Sequence, residues 1–327
     1  MSSEAPERRR TLTWPGFRRV AATVFLQYGM VWALVGLLIA ANIVYSGFFE
    51  PQNLKNLLSQ TAPVAIVAVG MTFVMIGGGF DLSVGAVFAL GAVFFANRAD
   101  PFGLWGAAAI VLLVSLACGV INGFIVTKLK VNPFVATLGT GSAFGGAAYI
   151  YSKSAPQTPS HDGFQTLGTG YALGLPLSVW VMLAVFLAGG IALSKTVYGR
   201  SVYAIGGNNE AARLAGLRVD LLRGSTYVLT AVCSGIGGMI LASKLGVGQA
   251  DMGGTIALDA IAIVVIGGTS LLGGEGAMWR TAIGVLTIAT LTNVFDSLAV
   301  SSDYQLVAKG AIVVGAVALD VFARSRR

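Results

Sequence analysis

A chain that performs covalent chemistry needs a nucleophile with a base beside it, or a set of metal ligands. This sequence of 327 residues offers one histidine, His161, in a polar stretch, and two cysteines, Cys118 and Cys233, each inside an apolar run. The cysteines read as small buried hydrophobes, and neither a disulfide, a metal site nor a histidine-based acid–base pair is expected. No G-x-x-x-x-G-K-[ST] loop occurs, so the chain is not expected to hydrolyse nucleotide or to hold a cofactor of that kind. The polar residues that remain are suited to contact a solute and not to react with it.

The most conspicuous of these sit where apolar runs are interrupted. Gly77-Gly78-Gly79-Phe80-Asp81-Leu82-Ser83-Val84-Gly85 breaks one such run. At membrane depth, irregular backbone is tolerated only if buried in protein or lining a cavity. An acid there costs several kcal/mol unless paired, which makes Asp81, with Ser83 beside it, a functional candidate. The competing reading has Asp81 simply capping the helix that follows. A comparable break, Ile266 to Gly276 (IGGTSLLGGEG), follows the run AIAIVV, and the two together hint at an internal repeat of broken helices around a solute path. Asp259 heads the run before the second break and would cap it. Asn122, Asn132, Thr137 and Thr140 add amides and hydroxyls that suit a hydroxyl-rich solute or, alternatively, hydrogen bonds between helices. Lys309 lies about one turn inside the last run and would snorkel or pair with Asp303. Gly141-x-x-x-Gly145 reads as a close-packing face within the subunit.

These residues need a membrane scaffold to hold them. Hydrophobic residues make up 55% of the chain and charged residues 11%, and mean hydropathy is +0.79, which excludes an ordinary soluble domain. The expected fold is all-α and polytopic, with about ten spans: 22–45, 63–76, 81–96, 104–126, 133–151, 177–193, 226–242, 258–272, 277–295 and 305–322. Before the second span, Leu54, Leu57 and Leu58 suggest a short amphipathic piece lying at the interface. A polar loop of 25 residues, Ser152–Pro176, separates the fifth and sixth spans. Residues 1–20 form a basic tail, and 21–327 the transmembrane domain. With both termini cytoplasmic, most of the 21 Lys and Arg fall on the cytoplasmic side: in the tail, at Lys128 and Lys130, between Lys195 and Arg223, and at the C-terminus. The net charge of +7 is therefore a topology signal, and no nucleic-acid partner is expected.

Between two spans, Lys195–Ser225 is the longest polar segment and carries Lys195, Arg200, Arg213, Arg218 and Arg223. Gly206-Gly207-Asn208-Asn209 reads as a turn delivering an Asn N-cap. Glu210 then stands at the positive end of a short helix through Ala211, Ala212, Arg213, Leu214 and Ala215, and Gly216 ends it. Small residues on one side with Leu214 and Leu217 on the other suit docking into another protein's groove; an ordinary surface helix has the same spacing. A carrier driven by protons or sodium usually needs carboxylates or histidines at the midplane, and here only Asp81 qualifies. A pore-like scaffold with a docking loop, powered elsewhere, is the reading that remains.

GGGFDLSVGA (77–86), VNPFVATLGT (131–140), YGRSVYAIGGNNEAARLAG (198–216), LDAIAIVVIGGTSLLGGEG (258–276) and VSSDYQLVAKGAIV (300–313) resemble, in order, segments of the membrane permeases of ribose-type sugar ABC importers. The likeness runs from about residue 50 to the end and leaves only the basic tail unplaced. It implies a multi-pass subunit of the bacterial cytoplasmic membrane that dimerises, with a second copy or a paralogue, around one path for a monosaccharide or related polyol. It also implies a separate ATP-binding subunit and an extracytoplasmic sugar-binding protein. By motif, Asn208, Asn209, Glu210, Ala211, Ala212, Arg213, Leu214 and Gly216 would couple to the ATPase, with Glu210, Ala212 and Arg213 nearest it. Phe80, Asp81, Ser83, Asn122, Asn132, Phe134, Thr137 and Asp259 would stand near the path. Phe80 departs from the aliphatic residue expected there, which would alter path width or specificity. The competing class is a secondary transporter or channel that works without an ATPase.

Overall fold

The computed structural model describes residues 29–324, which form an almost wholly helical bundle. Its first helices are α1 (Gly29–Val44), α2 (Pro51–Ile76), α3 (Val84–Thr127) and α4 (Pro133–Ser152). A short turn, α5 (Thr166–Thr169), and a hairpin of β1 (Tyr171–Ala172) with β2 (Leu175–Pro176) lead into α6 (Leu177–Lys195). The chain continues through α7 (Val197–Gly207), α8 (Asn209–Leu214), α9 (Val219–Leu245), α10 (Ile256–Ile266), α11 (Met278–Ser297) and α12 (Ser302–Arg324). Among the described residues, α2, α3, α6 and α9 are long and apolar enough to cross a membrane. α3 is two helices in one: Gly103, at φ 69° and ψ 172° just after Pro101, bends it.

The centre of the bundle is α9, packed against α2 and both halves of α3. Small residues make that approach possible. A Cβ on Gly91 would stand 2.8 Å from the Gly235 carbonyl oxygen, and one on Gly119 would stand 2.5 Å from Val228 Cα. Without an aqueous driving force between helices, such close van der Waals contact is what holds membrane helices together. Around it, Ile66, Met71, Met75, Phe88, Ile240 and Ile263 form the main apolar cluster. The buried hydroxyls are satisfied locally or across helices: Thr72 Oγ1 bonds the Ala68 carbonyl and meets Thr281 Oγ1 at 2.7 Å, tying α2 to α11.

Several expected boundaries move, each for a local reason. Leu54–Leu58 is no separate interfacial piece. It is the first part of α2, which runs through Pro63, and Leu57 is buried against Ala41, Phe48 and Ala289. The third span starts at Val84 and not Asp81, because residues 79–83 form the turn before it. The eighth stops at Ile266 and not Leu272, since Gly267 and Gly268 close the helix there. The seventh begins at Val219, seven residues earlier than its apolar run, and so takes over the end of the central loop. The polar loop 152–176 is not purely irregular. Leu173 and Gly174 (φ 51° and 79°) make the two-residue turn of its hairpin, and Gln157 pairs with Gly248 in both directions at 2.9 Å. Gly141 packs against Ser83, and Gly145 beside Ala86, within the subunit as expected. The two cysteines are free and buried, also as expected. The basic tail and residues 22–28 of the first span lie outside the described residues.

Candidate functional site

Three helix ends that carry glycine in the left-handed position close in the same way and belong to the segments singled out by sequence; Lys153 and Ala299 close α4 and α11 with the same bond pattern. At the first break, Gly78 (φ 75°) follows the C-cap Gly77; its N–H bonds the Met75 carbonyl, and that of Gly79 bonds Val74. At the second, Gly268 (φ 83°) follows Gly267, with N–H groups of Gly268 and Thr269 bonding Val265 and Val264. At the end of α8, Gly216 (φ 84°) follows Ala215, with Gly216 and Leu217 bonding Arg213 and Ala212. Each is a Schellman closure, in which a left-handed residue lets two terminal carbonyls find donors. The first two have a further likeness: an arginine on the carbonyls at the negative helix end. Arg223 reaches Gly77 and Gly78 at 3.3 and 3.4 Å, and Arg280 reaches Gly268 at 3.4 Å. The paired broken helices expected from sequence are thus alike in hydrogen-bond pattern as well as in glycine content.

The two breaks touch one another, and the end of α7 touches both. Gly274 N–H donates to the Ile76 carbonyl at 2.8 Å, so the loop after α10 is hydrogen-bonded to the end of α2. A Cβ on Gly206 would overlap that same Ile76 oxygen and lie 2.7 Å from Gly274 N. One on Gly273 would stand 2.8 Å from Gly78 Cα and 3.0 Å from the Gly206 oxygen. Tyr203 Oη, one turn earlier on α7, donates to the Gly276 carbonyl at 2.7 Å. Three backbones therefore meet with no side chain between them. α7 leads directly through Asn208 into α8, so main-chain contacts join the segment preceding α8 to both breaks.

Beyond the first break lies a polar chain inside the bundle. Asp81 is fully buried; its Oδ1 accepts from Ser83 N–H at 2.9 Å and Ser83 Oγ at 2.6 Å. Asn122 Nδ2 donates to Ser83 Oγ at 2.7 Å, and Thr140 Oγ1 donates to Asn122 Oδ1 at 2.6 Å. Thr137 Oγ1 accepts from Leu82 N–H at 3.0 Å. The chain links the turn to the second half of α3 and to α4. Within this chain of bonds, Asp81 Oδ2 has no partner among the described residues. Asp81 therefore does not cap α3, whose N-cap is Ser83 without a side-chain bond; it closes the turn itself. Replacing Asn122 with Leu removes both the donor to Ser83 and the acceptor for Thr140 and so cuts the link from the turn to α4, which costs about 1–3 kcal/mol. The variant is expected to lose its folded form at a lower temperature in detergent, measured by fluorescence-detected gel filtration; an unchanged midpoint would show the chain of bonds to be dispensable.

α8 lies at the surface of the bundle. Asn208, in extended backbone, caps it by accepting from Ala211 N–H at 2.9 Å. Glu210, Ala211, Arg213 and Leu214 are exposed, Leu214 at 88%. Val197 and Leu221 are exposed on the neighbouring elements. Two expectations change here. Ala212 faces inward, 5% exposed, packed with Ile205 and Val219, and not outward with Glu210 and Arg213. Leu217 joins that inner cluster and leaves Leu214 to project alone. Arg213 is tied to Asp220 at 3.5 Å, which also meets Lys128 at 3.4 Å. Asn209 lines a cavity of about 300 Å³ with Glu210, Arg213 and Arg223.

The proposed path residues do not all come together. Asp81, Ser83, Asn122 and Thr137 form one cluster, with Phe80 half-buried against the main core beside it. Asn132 is instead the N-cap of α4, accepting from Phe134 N–H at 2.9 Å, and lines the cavity beneath α8. Phe134 is exposed on the same turn. Asp259 is outside the cluster and does not cap α10, whose N-cap is Thr255; it pairs with Lys309 at 3.6 Å. Lys309 thus takes Asp259 and not Asp303, which lies in the first turn of α12. Sequence reasoning missed this pair, the arginines on the breaks and the contacts of Gly206. No group of residues able to hold a metal occurs among those described.

The chain matches the family model described as branched-chain amino acid transport system / permease component over residues 53–317. It is 42% identical to the ribose import permease protein of Bacillus subtilis, over 91% of this chain and 93% of that protein. It is 38% identical to the ribose import permease protein of Escherichia coli, over 95% and 98%. The L-arabinose transport system permease protein of Escherichia coli is 36% identical over 90% of each chain. No solved structure matches it.

Proposed function

From the premise that this chain belongs to the family of transport-system permease components, as the membrane subunit of an ATP-binding-cassette importer whose ATPase is a separate chain, we propose that it forms the path for a monosaccharide and is driven through α8. A pentose is the favoured solute, because the relatives it resembles over nearly their whole length are named for ribose and L-arabinose. In this reading the chain crosses the bacterial cytoplasmic membrane ten times, each half of α3 being one span. The termini and the 195–225 segment lie on the cytoplasmic side, a placement supported by the excess of Lys and Arg there. A second copy or a related permease completes the path, and an extracytoplasmic binding protein delivers the sugar.

The observation that carries this mechanism is the backbone junction of Gly206 with Ile76 and Gly274. ATP-driven closure of the partner dimer shifts α8 as a rigid body. α7 moves with it, and the two breaks, where α2 and α10 end, change their angle to the spans that follow. The energy enters only as the difference in how tightly the ATPase holds the two arrangements. The polar chain from Asp81 to Thr140 keeps the first break in register with α4, whose exposed face, including Phe134 and Leu138, is available to the second permease. Phe80, half-buried at the same break, narrows the opening relative to an aliphatic residue.

Co-purification of tagged permease with its ATPase tests the docking role. Glu210 is exposed and makes no ion pair with a described residue, so Glu210→Arg is expected to leave insertion intact and cut ATPase recovery by at least tenfold. Equal recovery, with normal ATP-dependent uptake, would remove α8 from the coupling role. Uptake by vesicles holding the permease alone would instead identify a carrier that needs no ATPase.

A further inference from the structure

At the opposite end of α2 from the glycine junction is a cavity that, of the expected path residues, Asp259 alone lines. It lies between α2, α10, α11 and α12 and has a volume of about 220 Å³. Asp259, on the first turn of α10, and Lys309, on the second turn of α12, meet inside it at 3.6 Å, with side chains only 16% and 21% exposed. Gln60 and Thr61 from α2 and Thr292 from α11 bring amide and hydroxyl groups to the same space. Asn293 borders it as well, held in place by reciprocal amide bonds with Asn53 at 2.9 and 3.1 Å. Leu57, Ile288 and the edge of Phe88 make the rest of the wall.

This arrangement is costly as pure structure. An ion pair taken out of water recovers its desolvation penalty only if the remaining donors and acceptors are also satisfied. Here the ammonium has three donors and the carboxylate about four acceptor positions, and among the described residues each is recorded bonding only the other. The unfilled valences face a cavity whose other polar groups are neutral. A hydroxyl both donates and accepts, so vicinal hydroxyls can bridge a carboxylate and an ammonium while the C–H face of the ring lies on apolar wall. An isolated cation or anion would meet the wrong charge on one side.

We infer that this cavity is a binding site for a neutral polyol of monosaccharide size, held between Asp259 and Lys309. The inference rests on the permease reading, in which this half of the bundle faces the side from which sugar arrives, and it adds a site distinct from the Asp81 cluster. Because α10 begins in this cavity and ends at the second break, a sugar held on Asp259 also bears on the element that the coupling motion moves.

Cysteine protection tests it in membranes holding the assembled complex. The chain's two natural cysteines are buried at 5% and 8% exposure, so Thr292→Cys reports on the cavity against a quiet background. Gln60→Cys, on the exposed rim, is a second reporter should the first disturb folding. Millimolar ribose is expected to slow maleimide labelling at least fivefold. Asp259→Asn and Lys309→Met are each expected to abolish that protection without slowing the labelling itself. Labelling indifferent to ribose at both reporters, in complexes that still import the sugar, would overturn the site and leave the permease reading standing. Absence of import by the unsubstituted complex would overturn the reading it rests on, and the site with it.

Discussion

Gly206→Ala is expected to abolish sugar uptake, while Gly207→Ala, one residue on, leaves it within twofold of the unsubstituted protein. The two changes are the same in chemistry and in helix propensity, since both glycines sit in the last turn of α7. They differ only in surroundings. A Cβ at position 207 meets nothing within 4 Å, whereas at 206 it overlaps the Ile76 carbonyl oxygen and lies 2.7 Å from Gly274 N. Those neighbours are backbone atoms bonded to one another at 2.8 Å, so neither can turn aside as a side chain would. The hydrogen bond must break or α7 must back away from both breaks. Forcing an extra carbon into a packed core costs about 1–3 kcal/mol, and here the loss falls on the contact that carries motion from α8. Uptake in membrane vesicles, with recovery of the ATPase measured alongside, separates the outcomes. Lost uptake with the ATPase still bound places the defect in transmission, and uptake within twofold for Gly206→Ala would show that the junction is not in the route.

How far this mechanism was legible follows from the nature of the contacts. The Asn208 cap, Gly216 as the end of α8 and the two glycine-rich breaks all depend on residues within six positions of each other. Backbone preferences alone expose them: only glycine enters the left-handed region cheaply, and Asn favours the N-cap. The likeness between the breaks was visible as composition and turns out to be a common hydrogen-bond pattern. Helix boundaries were less legible where hydropathy and backbone disagree. α10 stops at Ile266 although Leu271 and Leu272 lie only a turn beyond, because the left-handed Gly268 reverses the chain before they are reached. α9 starts before its apolar run, since Asp220 and Arg223 are helical but face partners at the bundle's end. What spacing could not supply was long-range pairing. Asp259 meets Lys309 across 50 residues, and Ile76 meets Gly206 and Gly274 across more than a hundred. Nothing local distinguishes Gly206, whose Cβ position is filled by backbone, from Gly207, whose Cβ position is open. Ala212 is the converse case: it belongs to the docking motif by position, yet the 3.6-residue period turns it inward.

Gly216→Pro is expected to abolish ATPase recovery without reducing the amount of permease in the membrane. The residue stands at φ 84° with nothing within 4 Å of where a Cβ would be, so substitutions there act through backbone conformation alone. Proline fixes φ near −65° and has no N–H. It therefore loses both the left-handed turn and the bond from Gly216 to the Arg213 carbonyl, and Leu217 can no longer close on Ala212. α8 has only six residues, and a helix that short has no stability of its own without its ends and its packing. Leu214 and Glu210 would no longer be held on one surface. Asparagine is the discriminating control, since it tolerates the left-handed region better than other non-glycine residues; Gly216→Asn should keep more ATPase recovery than Gly216→Ala, which pays about 1–2 kcal/mol for the same conformation. The order Gly, Asn, Ala, Pro in both ATPase recovery and sugar-stimulated ATP hydrolysis is the signature of a backbone requirement. Equal recovery for all four would mean that the partner grips this face without needing α8 to end where it does.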